Sequence, residues 1–368
     1  MKKWFALILS LSLVFVLAAC SNQQSDGSST TRPSQNNSSA DSETVSENSK
    51  TDDSSVNNSS DDSSPDNNSD TGAPDNSSDT TGSVVYMTTD ISPEGLTAIY
   101  EALGWSPTGK VAVKLSTGEP PASNYLRPEL IADVVQAVNG TIVECNTAYG
   151  GSRAQTAMHY QVAEDHGFTA IADFQILDEN GSMSLPVAGG TRLQENFVGA
   201  AFADYDSYLI LSHFKGHAMA GFGGAIKNIS IGLGSSEGKS WIHTGGKSKS
   251  GIYGDQDAFL EAMAEAGKSV SDYLGNGERI VYINVMNRLS VDCDCSGHPA
   301  EPDIHDIGIL ASYDPVALDQ ACIDLVYDAE GNTSLVNRIE SKNGLHTLEH
   351  AEEIGLGNRG YQLVSIDA

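Results

Sequence analysis

Residues 21–83 contain no Leu, Ile, Phe, Trp or Tyr. A stretch built from Ser, Asp, Asn, Thr and Gly cannot bury enough apolar surface to offset the entropy of ordering its backbone. Any folded core must therefore come from the chain beyond residue 83, and the stretch reads as a tether. It carries 12 Asp and Glu against Arg32 and Lys50, and Lys2 and Lys3 lie ahead of it. Residues 84–368 then hold 37 acidic and 16 basic residues, a net −21 of the chain's −29. Phosphate contacts need clustered Lys and Arg, so a surface of this sign argues against nucleic acid as a partner. The charge itself reads first as a solubility device.

Lys2 and Lys3 precede an apolar run over residues 4–19 that ends Leu17-Ala18-Ala19-Cys20. A positive start, a run too short to span a bilayer and small residues at the cut site predict a signal peptide over residues 1–19. Cys20 directly after Leu-Ala-Ala resembles the lipobox of bacterial lipoproteins. The expectation is a lipidated Cys20 that holds the chain on the extracytoplasmic face of a membrane, a tether over residues 20–83, and one domain over 84–368. That domain keeps four cysteines. Cys145 and Cys322 sit inside apolar, regular segments and read as buried free thiols. Cys293 and Cys295 stay open between metal ligation and a disulfide, since the compartment is oxidising.

Short runs rich in Val, Ile and Phe at 111–115, 141–145, 208–213, 280–285 and 307–312 predict buried strands. Helical spacing marks 127–138, 153–166, 255–274 and 315–327. Strand and helix in alternation predict an α/β fold, a mainly parallel sheet with helices on both faces. Asp178-Glu179-Asn180-Gly181 between two short runs predicts an inserted β-hairpin, and Asp314-Pro315 a helix start.

Ligands in such folds gather at the carboxyl ends of strands. Ser116, Glu119, Asn146, the loop 212–217, Asn287 with Arg288, Cys293 and Cys295, and Ser312 with Asp314 all come directly after predicted strands, so all are expected at one edge. Gly150, Gly151, Ser152 and Arg153 open a predicted helix and read equally as an anion cradle or as a glycine turn capped by Ser152. Residues 217–238 hold six glycines with Lys227 and Asn228. Gly223, Gly224, Asn228 and Lys239 are expected to let backbone approach a cofactor, though a mobile lid fits the glycines too. The spacing at 232–240 misses a phosphate-binding P-loop by one residue. Lys215, Lys227 and His217 are the acid, base or anion-clamp candidates. Cys293, Cys295, His213 and His243 combine thiolate and imidazole, a donor set that suits a transition metal.

Ser212-His213-Phe214-Lys215-Gly216-His217, the run 221–228, Gly238-Lys239 and His243 together resemble the signature of the domain-of-unknown-function 362 family. The runs 146–153, 292–295, 302–312 and 314–321 extend the resemblance over nearly everything from Val84 onward. Members often carry a ferredoxin-like insert with two Cys-x-x-Cys-x-x-Cys runs just after the position of His243. Here the chain passes from Lys247 through Lys249 and Tyr253 straight to the helix at Asp255, so ferredoxin-type iron–sulfur clusters are not expected. The resemblance implies an α/β core of undetermined activity whose histidine, lysine and Cys-x-Cys motifs form the chemical centre. Two functions remain open: a metal- or cofactor-dependent, redox-linked enzyme, and an extracytoplasmic module that binds a small ligand or metal without catalysis.

Overall fold

The computed structural model describes residues 82–368; the signal peptide, Cys20 and all but the last two residues of the tether lie outside the described residues. The strands are β1 (Ser83–Thr88), β2 (Val111–Lys114), β3 (Gly140–Glu144), β4 (Phe174–Ile176), β5 (Ser182–Pro186), β6 (Glu195–Gly199), β7 (Ser207–His213), β8 (Lys215–His217), β9 (Gly221–Gly223), β10 (Ile280–Met286), β11 (Gly308–Ser312) and β12 (Tyr361–Ser365). The helices are α1 (Pro93–Leu103), α2 (Pro128–Ala137), α3 (Thr156–Asp165), α4 (Ala225–Lys227), α5 (Ser236–His243), α6 (Gln256–Tyr273), α7 (Pro315–Asp328), α8 (Thr333–Ser341) and α9 (His346–Glu353). Among the described residues no helix is long and apolar enough to cross a membrane.

Eight strands form one sheet in the order β12-β1-β11-β10-β7-β2-β3-β4. Seven of them share a direction and β11 runs against both its neighbours, so the sheet is mainly parallel, as predicted. The central strands β7 and β10 are buried along their whole length, as sheets covered on both faces require. Their side chains alternate between two cores. Leu209, Leu211, Val281, Ile283 and Val285 pack with Leu96 and Ile99 of α1 and Ile131 and Val134 of α2. Tyr208, Ile210, Ile280, Tyr282 and Met286 pack with Ile226 of α4, Ala264 and Val270 of α6, and Ala317 and Ala321 of α7. Each fully buried Leu or Ile here contributes on the order of 2 kcal/mol.

Local signals fix the helix starts. Ser92 accepts from Gly95 N ahead of Pro93, and Gly104 closes α1 in the left-handed conformation. Asp314 accepts from Val316 N and Ala317 N ahead of Pro315, so α7 starts where the sequence places it.

Two expectations are corrected. The inserted hairpin is present but joins β5 to β6, whereas Asn180-Gly181 links β4, which edges the main sheet, to β5 in a separate one. Because β11 is antiparallel, Ser312 and Asp314 leave the sheet at the edge opposite the ends of β2, β3, β7 and β10. Asp314 there caps α7 and accepts from Ser83 Oγ and Asn358 N.

Candidate functional site

The parallel strands β2, β3, β7 and β10 deliver Lys114, Glu144, His213 and the 287–306 loop to one edge, where β8–β9, α4 and α5 fold over them. Together they enclose a cavity of about 220 Å3. Its wall includes Lys215, Lys227, His217, Arg153, Gly223, Gly224, Asn228, Lys239, Cys293, Cys295, His213 and His243, so most residues singled out from sequence converge there. Five cationic side chains, Lys114, Lys215, Lys227, Lys239 and Arg153, face two carboxylates, Glu144 and Asp294.

Gly150, Gly151 and Ser152 depart from expectation: α3 starts at Thr156 with no side-chain cap, and neither glycine lines the cavity. The Ser152 N–H donates to Glu119 Oε1 at 2.5 Å, so that amide is not offered to an anion. Arg153 is spent internally as well. Its Nε bonds Glu119 at 3.2 Å, Nη1 bonds Glu144 at 3.4 Å and Ser116 Oγ at 3.3 Å, and Nη2 bonds Tyr149 Oη at 2.8 Å and Asp294 O at 3.4 Å. Those bonds take up its donors, which makes it a brace for the wall.

The lysines divide in the same way. Lys114 Nζ donates to Leu115 O (2.6 Å), Asn228 Oδ1 (3.0 Å) and Glu144 (3.1 Å), using all three hydrogens. Lys215 Nζ meets His213 O at 2.5 Å and Asp294 Oδ2 at 2.9 Å. Lys239 Nζ meets Gly234 O at 2.6 Å and Cys145 O at 3.5 Å. Each of these two keeps one hydrogen to spare. Lys227 has no acceptor among the described residues, and its half-buried side chain runs along the cavity wall inside the protein. Burial first, then the neighbouring Lys215, lowers its pKa to about 7. Burial would raise the Glu144 carboxyl, but Lys114 foremost among its neighbours holds it down to about 2. Asp294 is likewise buried yet held far below the usual carboxylate range by Lys215 and His213.

The three histidines bind backbone. His213 Nδ1 contacts Asp294 Oδ1 at 2.8 Å and Nε2 contacts Asn287 O at 2.6 Å. Both ring nitrogens thus face an oxygen of the wall. His217 Nδ1 accepts from Met219 N and Ala220 N. Burial, then Lys227, pushes its pKa well down, so the neutral ring carries its hydrogen on Nε2. His243 Nδ1 donates to Lys239 O at 2.6 Å, and its pKa falls to about 4, chiefly through burial. Its Nε2 lone pair is thereby free. Cys293 and Cys295 are joined in a disulfide, and Cys145 and Cys322 are buried free thiols. His217, Cys293 and Cys295 hold their potential donor atoms within 4.8 Å of one another.

Asn228 braces the site, with Nδ2 donating to Lys114 O, Leu211 O and Ser212 Oγ. Gly224 is required by a neighbour: a Cβ there would lie 2.2 Å from Asp319 Oδ1. That carboxylate accepts from Ala225 N (2.8 Å) and Ile226 N (3.0 Å) and so fixes α4, which carries Lys227. Sequence reading missed Lys114, Glu144 and Asp294. The signal for the first two was a charged residue closing an otherwise apolar strand, Val-Ala-Val-Lys in β2 and Gly-Thr-Ile-Val-Glu in β3.

No curated protein matches the chain. Among solved structures, the lactate racemase apoprotein from Thermoanaerobacterium thermosaccharolyticum is similar at 13% identity, with 67% of this chain and 57% of that chain covered and a TM-score of 0.38. A protein from Thermotoga maritima is similar at 12% identity, covering 71% and 58%, with a TM-score of 0.35. This chain spans under two thirds of the length of either. Residues 111–324 match the family described as Domain of unknown function (DUF362), a span that runs from β2 into α7 and takes in every cavity-lining residue, and the chain belongs to that family.

Proposed function

We propose that the cavity binds a small organic anion and that Lys227 exchanges a proton with it. The observation that carries this reading is the charge distribution. Five of the 16 basic residues between 84 and 368 line one cavity of a domain with net −21. Two carboxylates leave an excess of positive charge there even when Lys227 is neutral, and an uncompensated buried charge is costly unless a ligand supplies its partner. Lys215 and Lys239 each have one donor to spare and serve as the clamp. An amine with a pKa near neutrality changes protonation state at physiological pH, as a general acid–base group must, and His243 Nε2 offers a second proton acceptor. The volume falls below the range of about 300–1,000 Å3 typical of drug-sized ligands, which favours a ligand of a few carbons.

A transition ion is not part of this reading. Metal sites use thiolate sulfur, and here both sulfurs are bonded to each other, while His217 Nδ1 already receives two backbone N–H groups. We further propose, from Leu17-Ala18-Ala19-Cys20 and the composition of residues 21–83, that the chain is lipid-anchored and presents the cavity outside the membrane.

The test is calorimetric titration of the full chain with inorganic phosphate and small mono- and dicarboxylates at low salt. The reading expects saturable binding of one anion per chain that tightens as pH falls from 8 to 6, because Lys227 gains its charge below about 7. Replacing Lys227 with Met should flatten that pH dependence. Binding by none of these anions, with wild-type folding confirmed, overturns the reading.

A further inference from the structure

We propose that Lys227 is a nucleophile, forming an imine with the carbonyl carbon of a small oxo acid whose carboxylate is held by Lys215 and Lys239. The inference rests on the anion-binding reading above and deepens it by naming the ligand class.

Four lysines line the cavity, and three are tied to protein acceptors at 3.5 Å or less. Only Lys227 among them has no such partner among the described residues. Proton transfer alone does not require this isolation, whereas an amine that must attack carbon needs its lone pair free and its approach clear. Its base is rigid, because Asp319 clamps the first turn of α4 and also accepts from Asn284 Nδ2 at 2.8 Å. Its stem has room, because Gly223 beside it has no side chain. A Cβ at Gly223 would lie 3.1 Å from Lys227 Cδ and press on it. Burial and the cation of Lys215 favour the uncharged amine, the two devices by which lysines become nucleophiles.

The chemistry balances without an oxidant or reductant. Lys227 loses a proton to His243 Nε2 or to solvent, and its Nζ bonds to the carbonyl carbon as the C=O π pair moves to oxygen. The oxygen collects the two remaining amine hydrogens and leaves as water when the C–O bond breaks. The imine nitrogen then regains the first proton. An oxo acid fits the rest of the wall, since its carboxylate meets the spare donors of Lys215 and Lys239 while its carbonyl reaches Lys227.

The experiment incubates the full chain with pyruvate or 2-oxoglutarate, reduces with sodium borohydride and maps the adduct by peptide mass spectrometry. Melting temperatures with these acids and with carbonyl-free propionate and glutarate are measured in parallel. The expected result is one reduced adduct on the peptide containing Lys227. It should be lost in Lys227→Arg, which keeps the cation and the anion-induced rise in melting temperature, and kept in Lys110→Met, which alters only an exposed lysine. An unlabelled Lys227 peptide, with all four acids still raising the melting temperature, overturns the imine and leaves anion binding standing. Absence of both the adduct and any anion-induced stabilisation overturns both.

Discussion

Asp294 is the carboxylate on which the cationic wall depends. It is 2% exposed and lies 2.9 Å from Lys215 and 2.8 Å from His213. Asp294→Asn keeps the shape and the backbone carbonyl that receives Glu119 N and Arg153 Nη2, but leaves the Lys215 ammonium without its anion. Breaking a buried pair by removing one partner costs about 3–5 kcal/mol. For a domain of this size 1 kcal/mol moves Tm by roughly 2 °C, so the variant should melt about 6–10 °C lower. Asp292→Asn is the internal control. Its carboxylate meets Arg338 at 3.6 Å on a partly exposed surface, and such pairs contribute up to about 1 kcal/mol. The pH dependence has a definite sign. Asp294 is held below its ordinary pKa, so its contribution is present above the unfolded value of about 4 and is lost as pH falls through the folded value. The gap between wild type and Asp294→Asn should stay constant from pH 5 to 8 and close only in stronger acid. Thermal unfolding by circular dichroism reads both effects. A variant as stable as wild type at pH 7 would mean that Asp294 does not neutralise a buried Lys215 ammonium, and the electrostatic account of the cavity would fall with it.

Two further outcomes concern buried groups. Glu265, fully buried on α6, accepts from the amides of Thr191, Arg192 and Leu193 and contacts His350. Glu265→Gln should cost about 2–3 kcal/mol and speed amide exchange at those three residues, and unchanged exchange would refute the clamp. Reduction of Cys293–Cys295 with dithiothreitol should change Tm little, because a disulfide spanning two residues restrains little loop entropy. It should also create a thiolate pair beside His217 that takes up cadmium, visible as sulfur-to-metal absorption and absent in Cys293→Ser. Stoichiometric metal before reduction would overturn the disulfide assignment.

The sheet was legible because β2, β3, β7 and β10 are apolar runs that no exposed segment would carry. Their common direction puts the loops after them at one edge, which is why His213, Lys215, His217, Lys227 and Cys293 were found together. The reversed course of β11 was not legible, since Gly-Ile-Leu-Ala-Ser reads the same in either direction. The outermost strand β12 and its neighbour β1 escaped notice because they are mostly half-exposed and lack a clean period. Asn180-Gly181 does form a turn, but a turn signal does not say which sheet its second strand will join. The Cys-x-Cys motif fits a disulfide or a ligand pair equally until the neighbouring nitrogens are placed. His217 Nδ1, occupied by two backbone amides, decides against ligation in the oxidised chain.

On the anion-binding proposal, the acidic surface and the basic cavity form one selective device. Repulsion from a domain of net −21 would then turn away large polyanions, whose charge interacts with the whole outer surface. A small anion is different. At physiological ionic strength the field of exposed carboxylates is screened beyond about 8 Å, so such a ligand reaches the cavity against little resistance. Once inside, it meets an excess of positive charge in surroundings that screen far less than water. Size and charge are thus selected together. On this reasoning the affinity for a small carboxylate should weaken with salt mainly through the cavity's own charges. Neutralising surface carboxylates remote from the wall should leave it nearly unchanged.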